Sequence, residues 1–255
     1  MMEGSGLNRL RRIATPDGWQ VERRWHPDSL ALLGADMHAE VAAQRLAAAH
    51  GLAPPVLGFD PDEGVLRMPW VEGSPLEPDW ASRAARRAAM GAVLGRLRAV
   101  AAPALPRLDL AERVRSLHRR LAARDPERGA ARRAELTAAL DAWEEALRSM
   151  GEAVAADAGE GRACLVHGDL TPGNVRVRAD GSLLLLDWEY AHAGGPWDDL
   201  AALCAAADGE PFADWAAAVP PGERARFGAT RRLRRLLDAL WRDLRAGIRT
   251  PPEAH

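Results

Sequence analysis

The amino-acid sequence predicts an α+β protein of two lobes. A small β-rich N-lobe with one helix takes residues 1–72, and a larger, mainly helical C-lobe with a β insert takes residues 73–255. Three observations predict this. Residues 9–25 alternate apolar and polar positions about a turn, the pattern of a half-buried hairpin. From about residue 82 to 156 apolar side chains recur at helical spacing. Residues 163–188 then return to short apolar strands before the helical pattern resumes at Asp198. In such an arrangement a ligand cleft is expected between the lobes.

Each element follows from local chemistry. Arg9 to Ala14 and Trp19 to Trp25 read as strands around Thr15-Pro16-Asp17-Gly18, a strong turn signal. In the second strand Trp19, Val21, Arg23 and Trp25 share one face. A helix is predicted over residues 35–50, with Met37, Glu40, Val41 and Ala48 on one side; Gly51 suits its C-terminal cap and Pro54-Pro55 stops it. Val56 to Phe59 and Val65 to Val71 form a second hairpin, and Glu72-Gly73-Ser74-Pro75 reads as a linker. Pro103, Pro106 and Pro126 punctuate the helical tract that follows.

Composition removes several function classes. Thirty-four basic against 36 acidic residues leave a net charge of −2, which gives no case for a nucleic-acid binder. All the basic residues are arginine, so no mechanism can call on a lysine. No apolar run approaches the ~18 residues that span a bilayer, and Met1 to Arg12 holds no apolar stretch of signal-peptide length. Cys164 and Cys204 are too few for a disulfide scaffold and lack metal-ligand spacing. The expectation is a soluble, cytoplasmic protein without a membrane or nucleic-acid partner.

Chemistry concentrates in residues 165–189. Leu165-Val166-His167-Gly168-Asp169-Leu170-Thr171-Pro172-Gly173-Asn174 is a short apolar strand running into a polar loop. Val175 to Arg178 and Leu183 to Leu186 then form a hairpin that ends in Asp187-Trp188-Glu189. If Arg178 pairs with Leu183 across a four-residue turn, Asn174 stands opposite Asp187, their Cβ atoms about 4.5–5.5 Å apart. Two oxygen ligands on one Mg²⁺ need that closeness. A polar pair that merely closes the hairpin is the other reading of the same spacing. Asp169, five residues before Asn174, can accept the proton of a substrate hydroxyl while a metal holds phosphates.

His167-Gly168-Asp169-Leu170-Thr171-Pro172-Gly173-Asn174 followed by Asp187-Trp188-Glu189-Tyr190-Ala191 resembles the aminoglycoside phosphotransferase/choline kinase family, which has the protein kinase-like fold. The second motif is most similar to those of bacterial thiamine kinases and choline kinases. Gly51-Leu52-Ala53-Pro54-Pro55-Val56, Trp70-Val71-Glu72-Gly73 and Pro196-Trp197-Asp198-Asp199-Leu200-Ala201 resemble further family segments, the second of them the interlobe hinge.

The resemblance implies ATP and Mg²⁺ as cofactors, with Asp169 as catalytic base. Asn174 and Asp187 hold the metal with help from Glu189, and His167 and Asp199 support the loop. Arg23 stands at the family's phosphate-contacting Lys or Arg, favoured over Arg24 because it shares the face of Val21, and Glu40 is its ion-pair partner. Ser5 and Gly6 in the nucleotide loop, with Met68 and Trp70 near the hinge, complete the nucleotide site. Two departures stand out: only three residues precede the nucleotide loop at Gly4, and Leu97-Arg98-Ala99 replaces the usual Leu-His.

The implied reaction is ATP-dependent phosphorylation of a small molecule on a hydroxyl. The favoured acceptor is an organic cation, thiamine ahead of choline or ethanolamine. Trp188, Trp197, Trp215 and Trp241 offer aromatic faces for such a cation. An aminoglycoside or sugar acceptor is the alternative. Readings of other classes are a pseudokinase acting as a nucleotide-binding or interaction module, and an anion- or RNA-binding regulator using the arginines of residues 224–249, against which the net charge of −2 argues.

Overall fold

The computed structural model describes residues 8–27, 36–160, 163–206 and 212–246. In chain order the elements are β1 (Arg9–Thr15), β2 (Gly18–Arg24), α1 (Met37–Ala49), β3 (Gly58–Asp60), β4 (Val65–Pro69) and β5 (Ser74–Pro75). Helices α2 (Ala84–Ala99), α3 (Leu110–Arg124), α4 (Pro126–Ala131) and α5 (Arg133–Glu160) follow. Then come β6 (Cys164–Val166), β7 (Val175–Val177), β8 (Leu183–Leu185), β9 (His192–Gly194), α6 (Asp198–Ala206), α7 (Ala213–Ala217) and α8 (Arg224–Ala246). They form two compact units: residues 1–108 with 156–218, and residues 109–155 with 219–255.

The first unit holds all nine strands of the described residues. Its largest sheet is antiparallel, in the order β1-β2-β4-β3. Helix α1 packs on one face: Val41 joins Trp25, Leu66 and Met68 in a cluster that Val21, Met37, Val56 and Phe59 extend. The helix starts two residues later than its pattern suggests because Asp36 caps it, accepting from the N–H groups of His38 and Ala39. Its buried stripe is Glu40, Val41, Ala43, Gln44 and Ala47, so Ala47 takes the core position expected of Ala48.

The expected linker at 72–75 is partly strand. Ser74 and Pro75 pair with Val177 and Arg176, making the three-stranded sheet β5-β7-β8. Gly73 permits this approach: at φ +129° a Cβ there would lie 2.3 Å from the Val177 carbonyl oxygen. Strand β9 lies beyond the expected β insert and pairs antiparallel with β6, Cys164 opposite Gly194 and Val166 opposite His192. Its three-residue sequence His-Ala-Gly carries no apolar alternation, so no pattern marks it.

The β7–β8 register differs from the expected one by a single residue. Val175 pairs with Leu185 and Val177 with Leu183, so Asn174 faces Leu186, whose N–H donates to the Asn174 carbonyl at 2.8 Å. The turn is the cause. Arg178 bonds to the carbonyl of Ser182, not to Leu183, and Gly181 sits in the left-handed region at φ +81°. That is a three-residue hairpin loop with a glycine at its left-handed position, one residue shorter than the expected four-residue turn.

The second unit is helical. Asp109 caps α3, and Asp125 caps α4, which opens on Pro126 at its first position. Val114, Leu117 and Leu121 of α3 are buried, as are Leu233, Leu236, Leu240 and Leu244 of α8. Leu237 and Trp241, expected on the same stripe, are only half-buried. No helix of the described residues is long and apolar enough to cross a membrane.

Candidate active site

The polar loop after β6 is held from beneath by a single carboxylate. Asp199, in the first turn of α6, accepts from the backbone N–H of His167 at 2.9 Å and of Gly168 at 2.8 Å. Gly168 makes the bend at φ +81°, where a Cβ would lie 2.5 Å from the Tyr190 carbonyl oxygen. His167 is wholly buried and tilted against Trp188, ring centroids 4.6 Å apart. Its Nδ1 accepts from the Asp169 N–H at 3.2 Å, which leaves Nε2–H to donate to the Leu186 carbonyl at 3.0 Å. Burial holds its pKa below the usual histidine value, and the imidazole is neutral.

The same loop brings Asp169 and Asn174 together. The Asn174 amide donates to the Asp169 carboxylate at 2.7 Å and to its backbone carbonyl at 3.1 Å. A one-turn 3₁₀ segment, Pro172–Asn174, supplies the needed reversal. Asn174 and Asp187 are not cross-strand partners, because the three-residue turn shifts the register. Asp187 instead follows β8 at φ +63°, and it is the sole non-glycine residue among those described with positive φ.

That turn aims Asp187 at Arg23. Arg23 is 4% exposed and donates to Glu40, to Asp187 at 2.8 Å and to Glu189 at 2.8 Å. Arg24 points the other way and meets Glu63 at the surface. Burial works against the Arg23 charge, but Glu40, Asp187 and Glu189 more than offset it and raise its pKa. Burial likewise pushes the Glu40 carboxyl up, opposed by its two donors, Arg23 and Trp25 Nε1–H at 2.7 Å. Glu189 is pushed up to about 7, by burial first and then by the neighbouring charge of Asp187, with Arg23 pulling the other way.

Two members of this cluster escaped the sequence reading. Asn8 donates to Glu189 at 2.9 Å and accepts from the His26 N–H at 2.9 Å. Trp25 holds Glu40. Trp25 ends the alternating face predicted for the second strand, which gave it no role; Asn8 closes the Gly4–Asn8 stretch that resembles the nucleotide loop, which gave it none of its own. Met68 is buried in the core and touches Gln44 through its sulfur, and the Trp70 N–H bonds to the Trp19 carbonyl at 2.8 Å. Ser5 and Gly6 lie outside the described residues.

The tryptophans offered for a cation are differently employed. Trp188 is core, at 0% exposed. Arg98, at the Leu-His departure, lies over Trp197 at 4.5 Å, and Arg87 lies over Trp215 at 4.8 Å while gripping Asp214 through two 2.7 Å bonds. Trp241, in the second unit, carries Arg245 at 5.0 Å. Three of the four rings are thus engaged by the chain's own arginines, and the fourth is buried against His167.

Among the described residues no group of three or more His, Cys, Asp or Glu side chains has metal-ligating geometry. The donor set is nevertheless suited to a hard divalent ion. Asp187 and Glu189, joined through Arg23, supply only oxygen ligands, and Glu189 is raised by burial first and then by the charge of Asp187.

The site thus joins a carboxylate-clamped loop carrying Asp169 and Asn174 to a buried Arg–Glu pair facing Asp187. Residues 12–246 match the model of the phosphotransferase enzyme family (APH), and the chain belongs to that family. It is similar to choline kinase LicA from Streptococcus pneumoniae, at 17% identity and TM-score 0.73, covering 98% of this chain and 86% of that one. Ethanolamine kinase from Plasmodium vivax gives 11% identity and TM-score 0.71, covering 98% and 77%. Aminoglycoside phosphotransferase APH(3'')-Id from Streptomyces rimosus, in complex with ADP and streptomycin, gives 20% and 0.56, covering 91% and 92%. Comparison with curated proteins finds no match.

Proposed function

We propose that this phosphotransferase moves the γ-phosphate of a nucleoside triphosphate, ATP in the sequence reading, to a hydroxyl of a small organic cation. Asp169 accepts the hydroxyl proton. Its carboxylate is oriented by Asn174, and its backbone by His167 and by the Asp199 clamp beneath the loop. Arg23, oriented by Glu40, neutralises phosphate charge through its fork of donors. Asn174 and Asp187, with Glu189, would hold Mg²⁺. The ion supplies charge neutralisation on the transferring phosphoryl group. Met68 and Trp70 lie toward the nucleotide base. Residues 1–72 act as the nucleotide lobe and 73–255 as the catalytic and acceptor lobe, in the cytoplasm.

The observation that carries this reading is the Asp169–Asn174 pair on its clamped loop. Without Asp169 so held, the Arg23 cluster would be an ordinary buried ion network. Thiamine is favoured as acceptor on the Asp187-Trp188-Glu189-Tyr190-Ala191 motif, with choline and ethanolamine next. The similarity to proteins named choline kinase and ethanolamine kinase supports a small amino alcohol. The neighbour holding streptomycin keeps an aminoglycoside as the second reading.

The test is release of nucleoside diphosphate with thiamine, choline, ethanolamine and a deoxystreptamine aminoglycoside, each with wild type and Asp169→Asn. Turnover with one of the small cations, cut at least ~100-fold in kcat by the substitution, is expected. A kcat/KM for the aminoglycoside well above the others replaces the acceptor. Absence of turnover with intact nucleotide binding favours the pseudokinase.

A further inference from the structure

Asp187 and Glu189 converge on one nitrogen. Arg23 Nη2 donates to Asp187 Oδ1 and to Glu189 Oε2, each at 2.8 Å, while its Nη1 is held by Glu40. Asn8 donates to the same Glu189 oxygen at 2.9 Å. All five residues belong to the first unit. Two carboxylate oxygens on one positively charged centre is also the arrangement that a divalent ion makes, at about 2.0–2.1 Å for Mg²⁺. The guanidinium nitrogen therefore stands where the two carboxylates meet, the place that an ion shared by them would take.

Exposure gives the exchange a direction. The Asp187 side chain is 33% exposed, Glu189 13% and Arg23 5%. An ion arriving alone from solvent meets Asp187 first, and finds the second carboxylate tied to the guanidinium and to Asn8. Three carboxylates around one guanidinium attract a cation, but the oxygens it needs are turned onto Nη2. To share them it must sit within a few ångströms of a positive charge that Glu40 keeps in place. A guanidinium has donors only, so what draws it off a carboxylate is another anion. Phosphate oxygens match its fork.

We propose that Arg23 is a resident stand-in for the metal: the chain takes up its divalent ion together with nucleotide phosphates and not before them, because the phosphates draw Nη2 off Asp187 and Glu189. This rests on reading those two carboxylates as the metal ligands. The phosphates exchange one anionic partner of Arg23 for another, and the freed oxygens receive the ion that accompanies them. Arginine suits this role better than lysine. Its two terminal nitrogens let one stay on Glu40 while the other changes partners, which a single ammonium cannot do.

Titration of the full chain with Mn²⁺ alone tests it, since Mn²⁺ takes the same oxygen ligands as Mg²⁺ and the paramagnetic resonance of the free ion reports how much is bound. The informative variant is Arg23→Met combined with Glu40→Gln. It removes the stand-in charge, leaves no buried carboxylate behind, and keeps a side-chain oxygen to accept from Trp25 Nε1–H. Without nucleotide this variant should bind Mn²⁺ at least about tenfold more tightly than wild type. Arg23→Lys, which keeps one charged nitrogen beside Glu40, should move the same way by less. Far-UV circular dichroism verifies folding of both. Wild type binding Mn²⁺ alone as tightly as the folded variants overturns the stand-in role and leaves the phosphotransferase reading standing. A parallel calorimetric titration of wild type with ADP, with and without Mn²⁺, tests that reading itself: tighter binding with the ion is expected, and equal affinities overturn the metal site and the proposal with it.

Discussion

Arg23 shows how a single residue can be decided by strand parity. Its neighbour Arg24 has the same chemistry, yet one is buried among three carboxylates and the other pairs with Glu63 at the surface. Arg23→Ala leaves Glu40 buried without its guanidinium, a change that costs about 3–5 kcal/mol in stability and should also weaken nucleotide use. Arg23→Lys should rescue only part of the activity, since one ammonium cannot reproduce the fork. Arg24→Ala should be near neutral in both, as exposed pairs are. Urea midpoints and kcat/KM measured across the three variants check this; damage from Arg24→Ala with a silent Arg23→Ala would reverse the assignment.

His167 is also a residue-scale device. The folded state holds its pKa down by burial, so the unfolded chain, with an ordinary value near 6.5, takes up its proton first on acidification. Its contribution to stability is therefore full above about pH 6.5 and is lost as pH falls below that, toward the lower folded value. A proton on Nδ1 would also face the Asp169 N–H that Nδ1 now accepts. In His167→Asn the side-chain oxygen can still accept from that N–H but does not titrate. Melting temperatures from pH 8 to 5 should fall less steeply for this variant than for wild type, and parallel curves would count against the histidine.

At the scale of elements, the loop at 167–174 uses its two glycines in opposite ways. Gly168 adopts φ +81° and any Cβ would strike the Tyr190 carbonyl, whereas a Cβ on Gly173 meets nothing within 4 Å. Gly168→Ala should cost about 2 kcal/mol or more through strain and displacement of the loop, and activity should fall with it. Gly173→Ala should change either quantity little. Chemical denaturation and steady-state kinetics of the pair separate a loop that needs its backbone shape from one that merely tolerates glycine. The hairpin β7–β8 carries a related lesson: one residue fewer in its turn turned Asn174 toward Leu186 and left Asp187 to reach the site through a left-handed backbone.

At the scale of the whole molecule, the site's charge predicts how ligands act on stability. Several carboxylates share one guanidinium, so a divalent ion with nucleotide phosphates should bind the folded chain and raise its melting temperature by mass action. At ligand concentrations about 100-fold above Kd the gain is ~2.7 kcal/mol, several degrees for a chain of this size. Nucleotide with Mg²⁺ should therefore shift the transition more than nucleotide with EDTA, and Asp187→Ala should remove most of that difference. Equal shifts with and without the ion would count against the metal role of Asp187.

The sequence by itself determined the class of protein and most of its elements. Alternation placed β1 and β2, the apolar spacing placed the helices, and the motifs at 167–174 and 187–191 named the phosphotransferase family that the match over residues 12–246 shows. The family resemblance pointed to an arginine here and to its pairing with Glu40; periodicity chose Arg23 over Arg24 and set Glu40 on the inner helix face, because strand parity and helix phase are local properties that short stretches of chain carry. Tertiary structure decided what depends on segments far apart in sequence. The pairings of β5 with β7 and of β6 with β9 involve strands of two and three residues, too short to carry a pattern. Asn8 reaches Glu189 across 181 positions, and Arg87 closes over Trp215 across more than a hundred. The turn at Ala179–Gly181 decided the register, since a one-residue difference in a loop exchanges every partner beyond it while leaving the hydrophobic pattern of each strand unchanged.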